Sequence, residues 1–434
     1  MVRKRRKRLK PLVKLIFFIL VLTIVLIFVY KSLKKEDDNI KNEEKYTLKF
    51  DIVDKKEEDE ENIEKTFEEG MSVNDFKKIL LQKENYIKSN DKYNQVLYDF
   101  DRKLHYSEIE NILYNINNSE IANVEIIGKS EDNRNIYGVE IGNGKDVIYI
   151  DANVHAAEVA STLFLTKYMS ELVNGYELGD KAIKSALNSV KLAIIPCMNP
   201  DGYEVYNFGV ESLNNKNLWL YQNKDNINFN LIKSNANGVD LNRNFPTQNA
   251  GMYFKGNTLI NNVSLEKTTS TSKYFNGYSV GSESETKAAM YFMIKHYRNT
   301  YAYMNMHSQG RVIYAGKPNL STEFNNLSQK FAKNVASITN YSVHGLSSEE
   351  VGEGNDGSVT DFMAELANGF KFSSKTGRLY TDRHINNSCK LTYFYPVITI
   401  ETLNIWTSDP DFFKNEYYDR GIKNLFNSLL NKKI

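Results

Sequence analysis

From about residue 102 onward, apolar and polar positions fall into two alternating kinds of block. NVEIIGKS (123–130) and NIYGVEIG (135–142) read as consecutive strands across a polar turn, Glu131-Asp132-Asn133-Arg134. DVIYIDANV (146–154) and VKLAIIP (190–196) are unbroken apolar runs of the kind buried on both faces of a sheet. YAYMNMH (301–307), VIYAG (312–316) and FYPVITIET (394–402) supply further strands. Helical spacing marks 156–173, 283–297, 321–338 and 410–431. Strands interleaved with helices in one long block predict an α/β sheet sandwiched between helices.

The pattern upstream is different. Residues 15–30, LIFFILVLTIVLIFVY, carry no charge, and extension back to Pro11 gives a run of the length that crosses a ~30 Å hydrocarbon core. The first ten residues, MVRKRRKRLK, hold seven basic side chains and no acid. A basic flank before the span places the N-terminus in the cytoplasm and the remainder outside. The rival reading is a cleaved signal peptide, which needs a shorter apolar core and a small-residue cleavage site. Here the run ends in Val29-Tyr30-Lys31. The organisation expected is a basic cytoplasmic tail at 1–10, a transmembrane signal anchor at 11–30 and a charged, disordered stalk at 31–70. An accessory segment with weak helical spacing follows at 71–101, and the main domain occupies 102–434.

Composition agrees with this division. The net charge of +1 is a sum of +8 over residues 1–30, −6 over 31–70 and −1 over 71–434. So balanced a main domain gives no electrostatic case for nucleic acid as a partner. Two cysteines, Cys197 and Cys389, are too few for a disulfide framework, and their pairing is not legible.

Candidate chemistry gathers at the ends of apolar strands. The run 146–154 leads directly into His155-Ala-Ala-Glu158, an i, i+3 pair whose side chains point the same way. One imidazole and one carboxylate begin a catalytic zinc site, which takes three protein ligands and leaves a position open. A helix cap would explain the pair equally well, so the third ligand decides. Of six histidines, His105 stands by a helix start, His296 lies among charges on a helix, and His344 and His384 fall in loops. His307 alone closes an apolar strand. Glu401 ends another, where a carboxylate needs a partner or a task. Beside a metal it can take a proton from water and deliver it to a leaving amine. Asn199-Pro-Asp-Gly202 reads as a turn. In the stretch Gly238–Phe245, Asn242 and Arg243 form a pair able to clamp a carboxylate.

Taken in order, His-x-x-Glu, Asn-Pro-Asp-Gly, Asp-x-Asn-Arg-Asn, a strand-end His-Ser and a strand-end Glu resemble the zinc metallocarboxypeptidase family of the carboxypeptidase A type. The five motifs run across about residues 104–430. The resemblance implies an α/β/α fold around a mixed sheet and one Zn²⁺ per chain. It implies His155, Glu158 and His307 as ligands, with Glu401 as general base and acid. Asn242 and Arg243 then hold the substrate's terminal carboxylate, and Arg134 contacts the substrate backbone.

Two departures stand out. No arginine occurs between Gly202 and Asn242, where the family carries one that stabilises the oxyanion, and Lys233 is the nearest cation. The family's mobile tyrosine has no counterpart in residues 345–363, which offer instead Glu349, Glu350, Glu353, Asp356 and Asp361. The position that sets terminal side-chain preference falls near Thr360, a polar residue. The expectation is a membrane-anchored, outward-facing zinc carboxypeptidase. Its substrate class would be peptides or peptidoglycan stem peptides, as in the bacterial branch that cuts γ-D-glutamyl-diaminopimelate bonds. A broad carboxypeptidase on exogenous peptides, or a weakened peptide- or wall-binding module, are the alternatives. Oligomeric state is not legible.

Overall fold

The structure is a computed structural model that describes residues 51–54, 85–88, 91–95, 98–222, 232–250, 253–255, 258–260, 275–277, 280–318, 320–345, 354–355, 357–372, 378–380, 394–403 and 410–434. Residues 11–30, where an anchor is expected, and nearly all of 31–70, where a stalk is expected, lie outside these residues. Among the described residues, no helix is long and apolar enough to cross a membrane.

A mixed sheet organises the domain. Its strands are β1 (Ala122–Lys129), β2 (Asn135–Ile141), β3 (Asp146–Ala152), β4 (Val190–Ile195), β5 (Thr300–His307), β6 (Val312–Ala315), β7 (Ser342–Val343) and β8 (Val397–Glu401). Across the sheet they run β1-β2-β4-β3-β5-β8-β6-β7. The central four, β4, β3, β5 and β8, are parallel. β1, β2 and β6 join antiparallel. Beyond β1 the edge is extended by Asn85–Lys88 and then Asp51–Asp54. Where 71–101 is described within an element, at Asn85–Lys88, it is therefore strand, not the expected helix. The open edge of β1 offers unpaired backbone groups that local helical spacing does not anticipate.

The helices are α1 (Tyr106–Ile116), α2 (Ala160–Glu177), α3 (Lys181–Ser189), α4 (Pro200–Phe208), α5 (Ser284–His296), α6 (Thr322–Thr339), α7 (Val359–Ala367) and α8 (Ile422–Leu430). Strand alternation sends Tyr149, Ala193, Ile195, Tyr303 and Val397 to one face, where they pack with Ala288–Ile294 of α5 and with Val359, Phe362 and Met363 of α7. α2 packs with α1, α3 and α8. The expected α/β sheet with helices around it is what forms.

Two local differences have clear causes. Asn199-Pro-Asp-Gly202 opens a helix: Asn199 Oδ1 caps α4 by accepting from the Gly202 amide at 2.9 Å, with Pro200 in the first turn. The single helix expected over 410–431 is broken into Pro410–Lys414, a wider turn at Asn415–Asp419, and α8. Gly421 sits at the break with φ 90°, and a Cβ there would lie 2.6 Å from the Ile338 carbonyl oxygen.

Topology places the chemistry. From β3 the chain passes to β4 on one side and later to β5 on the other, so the carboxyl ends of β3 and β5 flank a switch point. In open α/β sheets, ligands bind at that position. His155, His307 and Glu401 all lie at this edge.

Candidate metal centre and active site

After β3 the chain turns through Asn153, whose backbone is left-handed with φ 55°. Asparagine tolerates this region better than most residues. Its Nδ2 donates to the His155 carbonyl at 2.7 Å, and its Oδ1 accepts from the buried Cys197 thiol at 3.1 Å. The turn aims His155 and Glu158 inward. Its close approach to α4 depends on Gly202, since a Cβ there would stand 2.4 Å from the Ala156 side chain.

His155, Glu158 and His307 are buried together, with their donor atoms within 4.8 Å of one another. The Nδ1 atom of His155 lies 2.8 Å from one Glu158 oxygen, and Nδ1 of His307 lies 2.7 Å from the other. Burial opposes charge on Glu158, yet the two imidazoles hold its carboxyl well below the usual range. Two ring nitrogens and a carboxylate converging on one point are the donor types and number of a zinc site with an open position. The residues therefore fit the metal.

Asp240 has a place here that its motif alone did not disclose. Its Oδ1 lies 3.3 Å from Nε2 of His155, the ring nitrogen turned away from Glu158. A carboxylate behind a ligating imidazole fixes the tautomer and ring orientation. Burial alone would raise the Asp240 carboxyl, but His155, Arg243 and Lys233 pull it down to about 2. For His155, burial acts to lower the pKa while Glu158 and Asp240 outweigh it and raise it. The signal available in sequence was the position of Asp240 two residues before Asn242.

Glu401, the last residue of β8, is paired in register with His307. Burial lifts its carboxyl to about 7; His307 and Lys233 oppose that rise, and Glu158 adds to it. Lys233 is brought close by its neighbours. The Ala157 amide donates to the Ile232 carbonyl and Asn199 Nδ2 to the Ser234 carbonyl, both at 3.0 Å. Segment 232–234 is thus laid along the His155 turn, and the Lys233 charge is felt at His155, Asp240 and Glu401.

Asn242 and Arg243 sit on a 3-10 turn, Leu241–Arg243, capped by Asp240 Oδ1 accepting from the Asn242 amide at 3.0 Å. The Asn242 side-chain oxygen accepts from the Val359 amide at 3.0 Å, so its carbonyl end is committed to α7 and its NH₂ end is offered elsewhere. Arg243 Nη1 donates to the Asn242 carbonyl at 2.7 Å. Arg134 stands at the β1–β2 turn. Its Nη1 donates to Asp132 and, at 2.9 Å, to Asp201; its Nη2 donates to the Ser212 carbonyl at 2.6 Å. Asp201 also accepts from the Ser130 hydroxyl at 2.7 Å and the Asp132 amide at 2.9 Å. Arg134 is linked to the centre through α4, not through direct contact with the three donors.

Thr360 shares a 2.8 Å hydroxyl–hydroxyl hydrogen bond with Thr399, two residues before Glu401 on the same strand. Asp361 closes the capping box of α7, its carboxylate accepting from the Ser358 amide at 3.2 Å. Glu349, Glu350, Glu353 and Asp356 lie outside the described residues, as do His384 and Cys389. His105 caps α1, and His296 pairs with Glu140 at 3.0 Å. A second acidic group, Glu131, Glu283 and Glu285, meets amide and hydroxyl donors from Asn235, Asn237, Ser282 and Ser284.

A mixed sheet flanked by helices, with two histidines and a glutamate converging at its carboxyl edge, defines a metalloprotein of the α/β/α class. The family comparison narrows this. Residues 109–393 match the zinc carboxypeptidase family model, and the chain belongs to that family. The family's metal is zinc. Carboxypeptidase O of Bos taurus is 26% identical over 267 residues, covering 59% of this chain and 64% of the relative. Gamma-D-glutamyl-L-diamino acid endopeptidase 1 of Lysinibacillus sphaericus is 31% identical over 205 residues, covering 45% of this chain and 47% of the relative. The chain thus spans between about half and two thirds of the length of these relatives. In fold it resembles bovine thrombin-activatable fibrinolysis inhibitor, solved in complex with tick carboxypeptidase inhibitor, with a TM-score of 0.54 at 18% identity over 78% of this chain and all of the other.

Proposed function

We propose that this protein is a zinc-dependent carboxypeptidase anchored in a membrane by residues 11–30, with its catalytic domain facing outward. The observation that carries the catalytic reading is the convergence of His155, Glu158 and His307 beside Glu401 at one edge of the sheet. These three residues would hold the metal. Bound zinc polarises a carbonyl and acidifies water toward a pKa of ~7.

The chain's own groups divide the remaining work. Glu401, whose carboxyl burial pushes upward and which sits in register with His307, is placed to accept a proton from water and return it to the departing amine. Arg243 and the NH₂ end of Asn242 receive the substrate's terminal carboxylate, which confines cleavage to the last residue. Lys233 supplies positive charge where the carbonyl oxygen becomes negative. It does so as a point charge without the fork of an arginine. Arg134, held by Asp132 and Asp201, offers its remaining donors to the substrate backbone.

The finer reading is a cell-wall substrate, a stem peptide whose terminal residue is a diamino acid. A relative named for gamma-D-glutamyl-L-diamino acid cleavage supports it, and so does the polar Thr360–Thr399 pair. The test uses the purified full chain, with and without zinc, on defined stem peptides and ordinary C-terminal peptides, with products read by mass spectrometry. Release of a terminal diamino acid or its dipeptide supports the wall substrate. Cleavage of ordinary peptides alone replaces it with a broad carboxypeptidase. Zinc binding with no cleavage of either set rejects the enzyme and leaves a binding module. Protease accessibility of the catalytic domain on intact cells tests the outward orientation.

A further inference from the structure

The loop that follows His307 and the residue that follows Glu401 are stitched together. The Thr402 amide donates to the His307 carbonyl at 2.8 Å, and the Thr402 hydroxyl donates to the same oxygen at 3.0 Å. In return, the Gly310 and Arg311 amides both donate to the Thr402 carbonyl at 3.1 Å. The Ser308 and Thr402 hydroxyls lie 2.9 Å apart, and the Ser308 amide donates to Glu158 Oε2 at 3.3 Å. A short loop therefore touches one metal donor, carries a second at its start, and is bonded to the strand end that presents the general base.

At its far end, this loop is held by a group about a hundred residues away. Arg311 has a left-handed backbone with φ 55°, uncommon for a residue with a side chain. Its guanidinium grips Glu416: Nε lies 3.1 and 3.0 Å from the two carboxylate oxygens, and Nη2 lies 2.8 Å from Oε2. Glu416 is fully buried and also accepts from the Tyr341 hydroxyl. A buried carboxylate is costly unless paired, and removing one member of such a pair strands the other. The backbone of the loop's strained end is bonded to Thr402 and Ser342, and its side chain is fixed by Glu416.

We infer that Glu416, acting through Arg311, is a positioning residue for the metal centre. It keeps loop 308–311, and with it His307 and Glu401, in the geometry that binds the metal and moves the proton. Errors of about 1 Å in such a constellation are enough to lower activity strongly. The inference rests on the metal-centre reading above, and its test separates the two.

The test compares wild type with Glu416→Gln, Arg311→Lys and the double variant. Zinc dissociation constants come from competition with a chelator of known affinity, urea midpoints are measured on the zinc-free proteins, and kcat and KM are measured at saturating zinc. Expected are a zinc affinity lowered about tenfold in Glu416→Gln, a smaller loss in Arg311→Lys, and a fall in kcat larger than any change in KM. The double variant should lose little beyond the worse single one. A lowered urea midpoint with zinc affinity within twofold of wild type and unchanged kcat would mean a purely structural clamp and overturn the inference. Should Glu416→Gln not fold, Arg311→Lys and Tyr341→Phe carry the same comparison. Failure of the wild type to bind zinc sinks the metal-centre reading itself, whereas zinc binding without peptidase activity leaves this inference to be judged on the dissociation constants alone.

Discussion

Asp240→Asn removes one negative charge at nearly constant shape, and its consequence can be worked through. Asn retains an oxygen to accept from the Asn242 amide, so the 3-10 turn that carries Asn242 and Arg243 keeps its cap. What is lost is the carboxylate 3.3 Å behind the His155 ring. A histidine that ligates through Nδ1 is neutral, so the carboxylate faces an N–H donor rather than a cation, and such an interaction with a charged acceptor is worth about 1.5–3 kcal/mol. Removing a carboxylate behind a ligating histidine typically costs about 10–100-fold in metal affinity, or about 1.4–2.7 kcal/mol. The two figures are compatible. Chelator competition should therefore give a zinc dissociation constant raised about 10–100-fold. In the same excess of zinc the variant should melt a few degrees lower, because less binding energy is linked to folding. The zinc-free proteins should melt much closer together. A zinc affinity within twofold of wild type, or equal destabilisation with and without zinc, would refute the role given to Asp240.

Three further outcomes follow from the same geometry. Glu401→Gln should bind zinc normally, yet lose about 10²–10⁴-fold in kcat on whichever peptide the wild type cleaves; full activity in this variant would remove Glu401 from the mechanism. Gly202→Ala drives a methyl against Ala156, next to His155, and should weaken zinc binding by at least several-fold; unchanged affinity would show that α4 does not support the His155 turn. Asp151 is wholly buried, and burial lifts its carboxyl to about 7 against opposing hydrogen bonds from Tyr303 and Asn305. The folded chain keeps this proton while the unfolded chain releases it near pH 4, so the associated stability is present below about pH 4 and lost as pH rises toward 7. Urea unfolding of zinc-free wild type should weaken across that window by on the order of 4 kcal/mol relative to Asp151→Asn. Parallel pH profiles would contradict the buried proton.

Much of this protein was legible along the chain. The apolar runs at 146–154, 190–196 and 301–307 became β3, β4 and β5, because a parallel strand covered on both faces must be apolar throughout. His155, His307 and Glu401 could be chosen because polar groups at the ends of such runs need a reason to be there. Sequence by itself therefore determined the class of fold and singled out residues that the sheet brings together. What it could not determine was which distant groups stand beside those residues. Asp240 behind His155, Gly202 against Ala156, Asp201 on Arg134 and Glu416 on Arg311 join residues far apart in sequence, and no local periodicity records such pairs. Tertiary structure also redirected residues read locally: Asn199 caps a helix where a turn was expected, and Asp361 caps α7 rather than standing in an acidic loop. The physical reason is common to these cases. Secondary structure follows from the alternation of apolar side chains along a few residues, whereas a metal centre is fixed by strand order. In this sheet it was the switch of direction between β3's two neighbours that brought three separate strand ends to one point.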